Sequence, residues 1–479
     1  MLFPTIAPRA CFLAALIATS FFGLTASAQN RHAPRLYAQF CASCHGANMQ
    51  GASAPSMLDD TWRYGADDAT IARIIREGTA DGGMPPFGNA FSEGEIRGLV
   101  VYLREHRADY QRHRPTRSQP QHDEVISSER HRFKIETVAD GLDTPWSIAW
   151  LTDGRLLITE KPGRLRIVEN GRLLPDPVRG TPAVHDGGQG GLLEVAPHPD
   201  YANNGWIYLA FSHAMKNASG QNVSMTKLVR GRIRDGAWQD EETIWSAPPD
   251  TYRRAGGVHY GCRIAFDGKG YLFFSHGERG TQDHAQDLSR PNGKIHRIHD
   301  DGRVPEDNPF VNDPRAIGSI WTYGNRNPQG LDFDPRTGVL WETEHGPRGG
   351  DELNIVKKGR NYGWPVITHG MNYDGTPITG ETAREGMEQP VIHWTPSIAV
   401  CGIDFYEGDR FPKWTGHLFV TALAQQELRR LVIEDGRVTH QEVLLKDISR
   451  LRDVGSGPDG LLYVVMNDPG RVIRLVPVE

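Results

Sequence analysis

The sequence predicts two fused folds, a small all-α domain followed by an all-β six-bladed β-propeller. Three observations carry that reading. The segment "FCASCHG" (Phe40 to Gly46) is followed by an amphipathic helical stretch; a polar, proline-bearing break comes next; and a glycine turn leading into an apolar run then recurs six times. At 479 residues the chain is too long for one small core. A prior of about 100 to 200 residues per domain gives two or three units, and one large β domain lowers that count.

Composition excludes several classes. The chain is 38% hydrophobic and 23% charged, the profile of a soluble globular protein. A net charge of -6, with arginines dispersed among acids, leaves no basic stripe for nucleic acid. Residues 1–28 have the layout of an export signal: Arg9, an apolar run from Cys11 to Leu24, then Ala26-Ser27-Ala28 as the small-residue cleavage site. The run is shorter than the roughly 20 apolar residues of a spanning helix, so cleavage near Ala28 is a better reading than a membrane anchor. A periplasmic protein with no stable membrane insertion is therefore expected.

The helical domain is placed at residues 29–106. In Cys41-x-x-Cys44-His45, two thiols stand at the spacing that attaches a haem c while the adjacent His binds its iron. A redox dithiol or half a zinc site is a poorer fit, because His45 follows directly and no second Cys pair exists. A second axial ligand should follow, and Met84 in "DGGMPPFG" sits in a loop that glycines and prolines keep extended. Met49 and Met57 are rival thioethers. In "FSEGEIRGLVVYLREH", Ser92 and Glu95 have capping-box spacing, and Ile96, Leu99, Val100 and Leu103 form one helical stripe. Together residues 36–106 resemble class I c-type cytochromes, which implies His45 and Met84 as the axial pair. The stretch 107–132 is polar, contains Pro115 and Pro120, and is read as a linker.

Of five cysteines, Cys11 leaves with the signal and Cys41 and Cys44 hold the haem. Cys262 and Cys401 remain, either as a disulfide or as two separate buried thiols.

From residue 133 to 479 the repeats are "DGRLLITEKPGRLRIV" from Asp153, "NNGWIYLAFSH" from Asn203, "DGKGYLFFSHGE" from Asp267, "RTGVLWETEHGP" from Arg336, "WTGHLFVTAL" from Trp414 and "PDGLLYVVMND" from Pro458. Repeating four-stranded units mean a propeller, whose ligands sit over the central channel where loops from all blades converge. A sandwich of similar strands does not require six copies. "DGGQGGLL" is glycine-rich but leads into "HPDY" and a new strand, not a helix, which excludes a dinucleotide loop. "GGVHYGCR" sets His259 among glycines just before a repeat strand; such a His is either structural or a general base. Arg326 in "GNRNPQG" and Arg450 and Arg452 in "SRLRD" are planar donors suited to carboxylates or quinone oxygens, or to surface ion pairs. "EHGPRGGDE" (Glu344 to Glu352) is a loop whose carbonyls could face a hard cation, or a tight acidic turn without one.

In this order these segments, with "TPWSIAWLTDGRLLITEKPGRL", "GRNYGWP" and "RLRDVGSGPDGLLYVV", resemble the soluble quinoprotein aldose and glucose dehydrogenases. Those propellers oxidise sugars with pyrroloquinoline quinone, and the resemblance covers nearly the whole large domain. It implies His259 as the base at the sugar's anomeric hydroxyl and Arg326 beside the reacting quinone oxygens. Asn327 and Ser397 would hydrogen-bond the cofactor, Arg450 and Arg452 would bind its carboxylates, and Gln189 would reach the substrate or quinone edge. The carbonyls of Gly346 and Pro347 would hold Ca²⁺, Asp351 and Tyr362 would support the site, and Trp394 would line its mouth. Two positions depart from the glucose-oxidising members: Val258 replaces an acid before the base, and Ala424 replaces a lysine beside the cofactor.

The expected activity is oxidation of an aldose to its lactone, with electrons passing through the tethered haem to an external acceptor, a cytochrome or similar. Two other classes share the fold: a Ca²⁺-dependent lactonase, for which a haem has no use, and a non-catalytic binding propeller.

Overall fold

A computed structural model describes residues 31–112 and 124–478. The predicted export signal, with cleavage near Ala28, and Pro115 and Pro120 of the predicted linker lie outside those residues. No helix among the described residues is long and apolar enough to cross a membrane.

The N-terminal domain is built from a broken helical run, 33–45, that contains one π-helical turn at Tyr37–Cys41, and from helices Asp68–Glu77 and Glu93–Arg112. Asp67 caps the second, accepting from the Thr70 amide at 2.8 Å. The predicted capping box starts the third: the Ser92 amide donates to Glu95 Oε2 at 2.7 Å and the Glu95 amide to Ser92 Oγ at 3.3 Å. Ile96, Leu99, Val100 and Leu103 then share one core with Leu36, Tyr37, Met49, Ile71 and Ile75, against which Cys41 and Met84 pack. This helix runs past the predicted boundary at 106 to Arg112. The polar residues there belong to its surface: Arg104 and Arg107 both lie over the Trp62 ring, 5.8 and 5.5 Å from its centre. The first strand after the undescribed stretch, Ile126–Ser127, also falls inside the predicted linker.

Six antiparallel sheets follow. Their innermost strands are Pro145–Trp150, Leu192–Pro197, Ile264–Phe266, Pro328–Phe333, Val400–Phe405 and Leu451–Ser456, and each touches the next in a closed ring. The six sequence repeats form the second strand of each blade: Leu156–Glu160, Ile207–Lys216, Tyr271–His276, Leu340–Glu344, Leu418–Ala422 and Leu462–Met466. Five of these strands are buried on both faces throughout or nearly so, and Ile207–Lys216 over its first six residues, which is why they read as near-continuous apolar runs. The sixth blade is completed from the other end of the domain. Strand Arg132–Asp140 pairs antiparallel with the last strand, Arg471–Val478, so that the two chain ends close the ring with backbone hydrogen bonds.

The fourth blade carries a long insertion, 356–391, between its third strand, Asp351–Ile355, and its outer strand, Ile392–Trp394. It runs beside the active face and receives the helical domain.

Candidate active site

Five of the blades contribute to one face in the same way. Gln189, His259, Arg326, Ser397 and Arg450 each lie within a few residues of the start of an innermost strand, in blades two to six. Segments 53 to 71 residues apart in sequence thereby converge on the mouth of the channel.

His259 is 7% exposed and sits in the left-handed region, φ 57°, flanked by Gly256, Gly257 and Gly261 at φ 77°, 80° and 64°. The glycines of "GGVHYG" are thus required by a run of positive φ that other residues avoid. The loop is locked against its neighbour: the Gln189 amide donates to Gly257 O at 2.8 Å, and the His259 amide donates to Gln189 Oε1 at 2.8 Å. Gln189 therefore positions the His259 backbone while remaining exposed at the site.

The imidazole has a partner that sequence reasoning missed. His259 Nδ1 is hydrogen-bonded to Glu278 Oε1. Glu278 is 1% exposed, and its amide donates to Arg326 O at 2.9 Å, which ties base, acid and arginine into one unit. Burial, helped by the Arg326 charge, lowers the His259 pKa to about 4 despite the opposing pull of Glu278. Burial pushes the Glu278 carboxyl up, but the hydrogen bond and charge of His259, with Arg326, leave it below its ordinary value. At neutral pH this is a neutral imidazole held by a carboxylate, with Nε2 left as a base. The only hint in sequence is an acid placed directly after a repeat strand, in "SHGERG". Its neighbour Arg279 stacks 3.5 Å from the Tyr260 ring centre and donates to Gly256 O and Val258 O, bracing the loop from beneath.

Arg326 donates to His345 O at 2.9 Å and Gly346 O at 2.7 Å, and its own amide donates to Glu344 Oε2 at 2.7 Å. Arg452 donates to Gln329 Oε1 at 3.0 Å and contacts Cys401 Sγ at 3.5 Å; burial lowers its pKa. Arg450 is exposed. Among the described residues none of the three guanidiniums has a carboxylate partner, in contrast to Arg263 just below, which pairs with Glu194 at 2.9 Å and Asp453 at 2.7 Å. Two further buried donors on this face lack partners, Arg326 Nε and Asn327 Nδ2. The buried Arg326 charge and the orphaned donors beside it are costly unless an anionic acceptor fills the channel, and the more exposed Arg452 and Arg450 are free to serve the same acceptor. A quinone bearing several carboxylates has that chemistry, so the residues present fit pyrroloquinoline quinone.

Below Arg326 lie the buried Glu342 and Glu344 and the half-buried Glu352; desolvation lifts Glu342 to about 8 and Glu352 to about 7, and Glu344 well above its ordinary value. Burial biases Glu342 and Glu344 toward their protonated forms, which lessens their compensation of the Arg326 charge. No cluster of three or more His, Cys, Asp or Glu among the described residues could hold a metal. Of the loop carbonyls expected to face a cation, Gly346 O accepts from Arg326. Asp351 shapes that loop by accepting from the Gly346 amide at 2.9 Å, the Val400 amide at 3.1 Å and the Ser397 hydroxyl, while burial raises it to about 6. Carbonyl oxygens suit a hard ion such as Ca²⁺.

Tyr362 and Trp394 are placed differently from each other. Tyr362 borders the small void under Arg326, and its hydroxyl donates to Ile355 O at 2.6 Å, fastening the insertion. Trp394 does not line the mouth. Its strand pairs Trp394 with Asp351, and the ring turns into the core between blades four and five with Trp341, Ile398 and Phe405, donating to Gln441 Oε1 at 3.1 Å. Val258 is 36% exposed. Ala424 lies beside Ser397, its amide donating to Ile398 O at 3.0 Å. Cys262 and Cys401 are separate buried thiols, near Thr226 and His345 respectively. A cavity of about 530 Å³, lined by Asp283, Gln286, Pro365 and Arg384 among others, opens next to Trp364 and away from His259.

In the helical domain Cys41 is half-buried and Cys44 exposed, one helical turn apart, and His45 Nδ1 lies 3.3 Å from Pro55 O. That contact orients the ring and leaves Nε2 for iron, the usual arrangement for a ligating histidine. Met84 packs against the same apolar core as Cys41, so the residues fit a haem. Met49 and Met57 also touch that core.

Comparison with known proteins agrees with both halves. Residues 142–474 match the family described as Glucose / Sorbosone dehydrogenase, and residues 28–103 match that described as Cytochrome C oxidase, cbb3-type, subunit III. The chain is 41% identical over 351 residues to the aldose sugar dehydrogenase YliI of Escherichia coli (strain K12), covering 72% of this chain and 92% of that one. Among solved structures, the apo-form of the soluble aldose sugar dehydrogenase from Escherichia coli superposes with a TM-score of 0.67 at 39% identity, over 72% of this chain and 100% of the other. The form of the Streptomyces coelicolor aldose sugar dehydrogenase bound to pyrroloquinoline quinone gives 0.58 at 27% identity, over 72% and 98%. The helical domain is 36% identical over 75 residues to the CcoP subunit of the Azospirillum brasilense cbb3-type cytochrome c oxidase, 14% of this chain and 25% of that one.

Proposed function

The chain belongs to the glucose/sorbosone dehydrogenase family and carries a cytochrome c domain, and from that premise we propose a specific activity. It oxidises aldose sugars at C1 to lactones with pyrroloquinoline quinone and Ca²⁺, and delivers the electrons through its own haem to an external acceptor in the periplasm. The observation that carries this reading is the His259–Glu278 pair set against Arg326, Arg450 and Arg452, cations with no carboxylate partner among the described residues.

Bound in this site, the quinone supplies a carbonyl carbon that accepts hydride, and Ca²⁺ on the Gly346 and Pro347 carbonyls would polarise that carbonyl. The residues do the rest. His259 Nε2 takes the proton of the anomeric hydroxyl, and Glu278 holds the imidazole in the tautomer that leaves Nε2 free and stabilises the imidazolium that forms. Arg450 and Arg452 anchor carboxylates, and Ser397 and Asn327 add hydrogen bonds. Arg326 places positive charge where negative charge develops. Val258 offers the sugar only an apolar contact, so hydrogen bonding there falls to other groups.

The test uses the haem-containing protein reconstituted with Ca²⁺ and the quinone, and follows haem absorbance after anaerobic addition of aldoses. Reduction that needs both sugar and quinone and is lost in His259→Ala supports the reading. Failure to bind the quinone overturns it.

A further inference from the structure

Resting on the activity just proposed, we infer that electrons leave the propeller across the last helix of the cytochrome domain, which is docked permanently on the Gly346–Gly350 loop and does not swing on its connection.

The helix 93–112 has two working faces. Ile96, Leu99, Val100 and Leu103 point into the core that holds Cys41 and Met84. The opposite face, at helical spacing, consists of Gly94, Arg97, Gly98, Val101 and Glu105, and it is built for the propeller. A Cβ on Gly94 would meet Pro377 Cβ at 2.8 Å and Thr379 O at 3.1 Å, and one on Gly98 would lie 3.5 Å from Met371 Sδ. Glycine is a poor helix former, so two on one face of this helix mark a close approach that side chains would block. Arg97 reaches three carbonyls of the insertion, Thr368 at 3.0 Å, Thr379 at 3.1 Å and Gly380 at 2.9 Å. Glu105 forms a bidentate pair with Arg348. The Ala33 amide donates to Gly375 O at 3.0 Å. Ala33, Val101 and Met371 form a sealed apolar patch, with Val101 fully buried.

This interface falls on the loop that would carry the cation. Val101 Cγ2 is 3.0 Å from the Cβ position of Gly349, and Arg348, two residues after Gly346, is the partner of Glu105. Tyr102 joins the faces: it packs on the interface patch and against Tyr37, ring centres 5.8 Å apart. One helix, about 10 to 12 Å across, therefore separates the haem core from the cofactor loop.

The electron count is simple. Oxidation of the sugar releases two electrons and two protons; each electron reduces one Fe(III) to Fe(II), and an external one-electron carrier reoxidises the haem between the two transfers.

The experiment compares full-length holoenzyme with the double variant Arg97→Ala/Glu105→Lys, which removes the three-carbonyl clasp and reverses the ion pair. Stopped-flow haem reduction by D-glucose, steady turnover with a small phenazine acceptor, and amide exchange over 93–112 are measured together. Charge-assisted hydrogen bonds of this kind are worth enough to slow haem reduction by at least about tenfold. Phenazine turnover and haem content should stay within about twofold of wild type, and exchange in the helix should rise. A second variant, Gly98→Trp, forces the faces apart by bulk alone. Wild-type haem reduction in both variants overturns the inference. Absence of phenazine turnover by the wild-type protein with D-glucose and with a panel of other aldoses would instead sink the proposed activity, and the exchange data on the unaltered chain still show whether the helix is docked.

Discussion

His259 Nδ1 is hydrogen-bonded to Glu278 Oε1, and the Glu278 amide in turn donates to the Arg326 carbonyl at 2.9 Å. The proposed general base, the acid proposed to orient it and the cation proposed to lie beside the reacting oxygens are thus joined in one unit drawn from two blades. Any change to one is felt by the other two.

Glu278→Gln should lower kcat by about 100-fold or more, because the imidazole loses the carboxylate that selects its tautomer and stabilises its protonated form. The pH profile carries the sign. The folded-state pKa of His259, about 4, lies below its ordinary 6.5, so the base stays deprotonated until the pH falls toward 4. The acid limb of kcat/KM for the wild-type protein should therefore lie near pH 4 to 5. Glu278 raises the His259 pKa, so its loss should move that limb to lower pH while the plateau drops. A limb that stays put would mean that Glu278 does not act through His259.

Arg450→Ala and Arg452→Ala should each weaken quinone binding by about 10- to 100-fold, the value of one charge-assisted hydrogen bond. Equilibrium titration of the metal-loaded protein measures this directly. Haem content should not change, since neither residue belongs to the helical domain. Arg450, exposed and without a carboxylate partner among the described residues, should leave the melting temperature unaltered.

Asp351→Asn weakens the acceptor set that holds the Gly346 amide, the Val400 amide and the Ser397 hydroxyl. A loss of about 1 to 3 kcal/mol in stability is expected. Calcium should be stripped by a lower chelator concentration than from wild type, followed by calorimetry of the chelator titration. Unchanged calcium retention would place the ion elsewhere.

Met84→Ala should lower the haem potential by roughly 0.1 V or more, within the ~0.8 V that axial ligands span, and abolish the thioether-to-iron absorption band. Met49→Leu and Met57→Leu should do neither. A shift confined to one of those two would reassign the ligand.

Much of the fold was legible because its signals are local. The six repeats announced the propeller since each is a strand buried on both faces, and burial writes an apolar run into the sequence. The capping box at Ser92 and Glu95 marked its helix because both partners lie within one turn. Arg326, Arg450 and Arg452 could be named as anion donors from family resemblance. Glu278 could not, because what makes it functional is a neighbour 19 residues away brought close by blade geometry. Trp394 was misplaced for the same reason: strand register alone decided that its ring faces the inter-blade core.

By itself the sequence determined the haem-attachment motif, the six-strand periodicity and the glycines around His259, each a property of spacing or of backbone freedom within a few residues. Only the tertiary structure decided how the ring closes through Arg132–Asp140 and Arg471–Val478, which acid holds the base, and where the cytochrome sits. Gly94 and Gly98 look like flaws in a helix until Pro377 and Met371 are seen against them. The physical reason is common to all three. Each depends on contacts between segments far apart in the chain, whose value comes from complementarity of shape and charge, and no single segment records that alone.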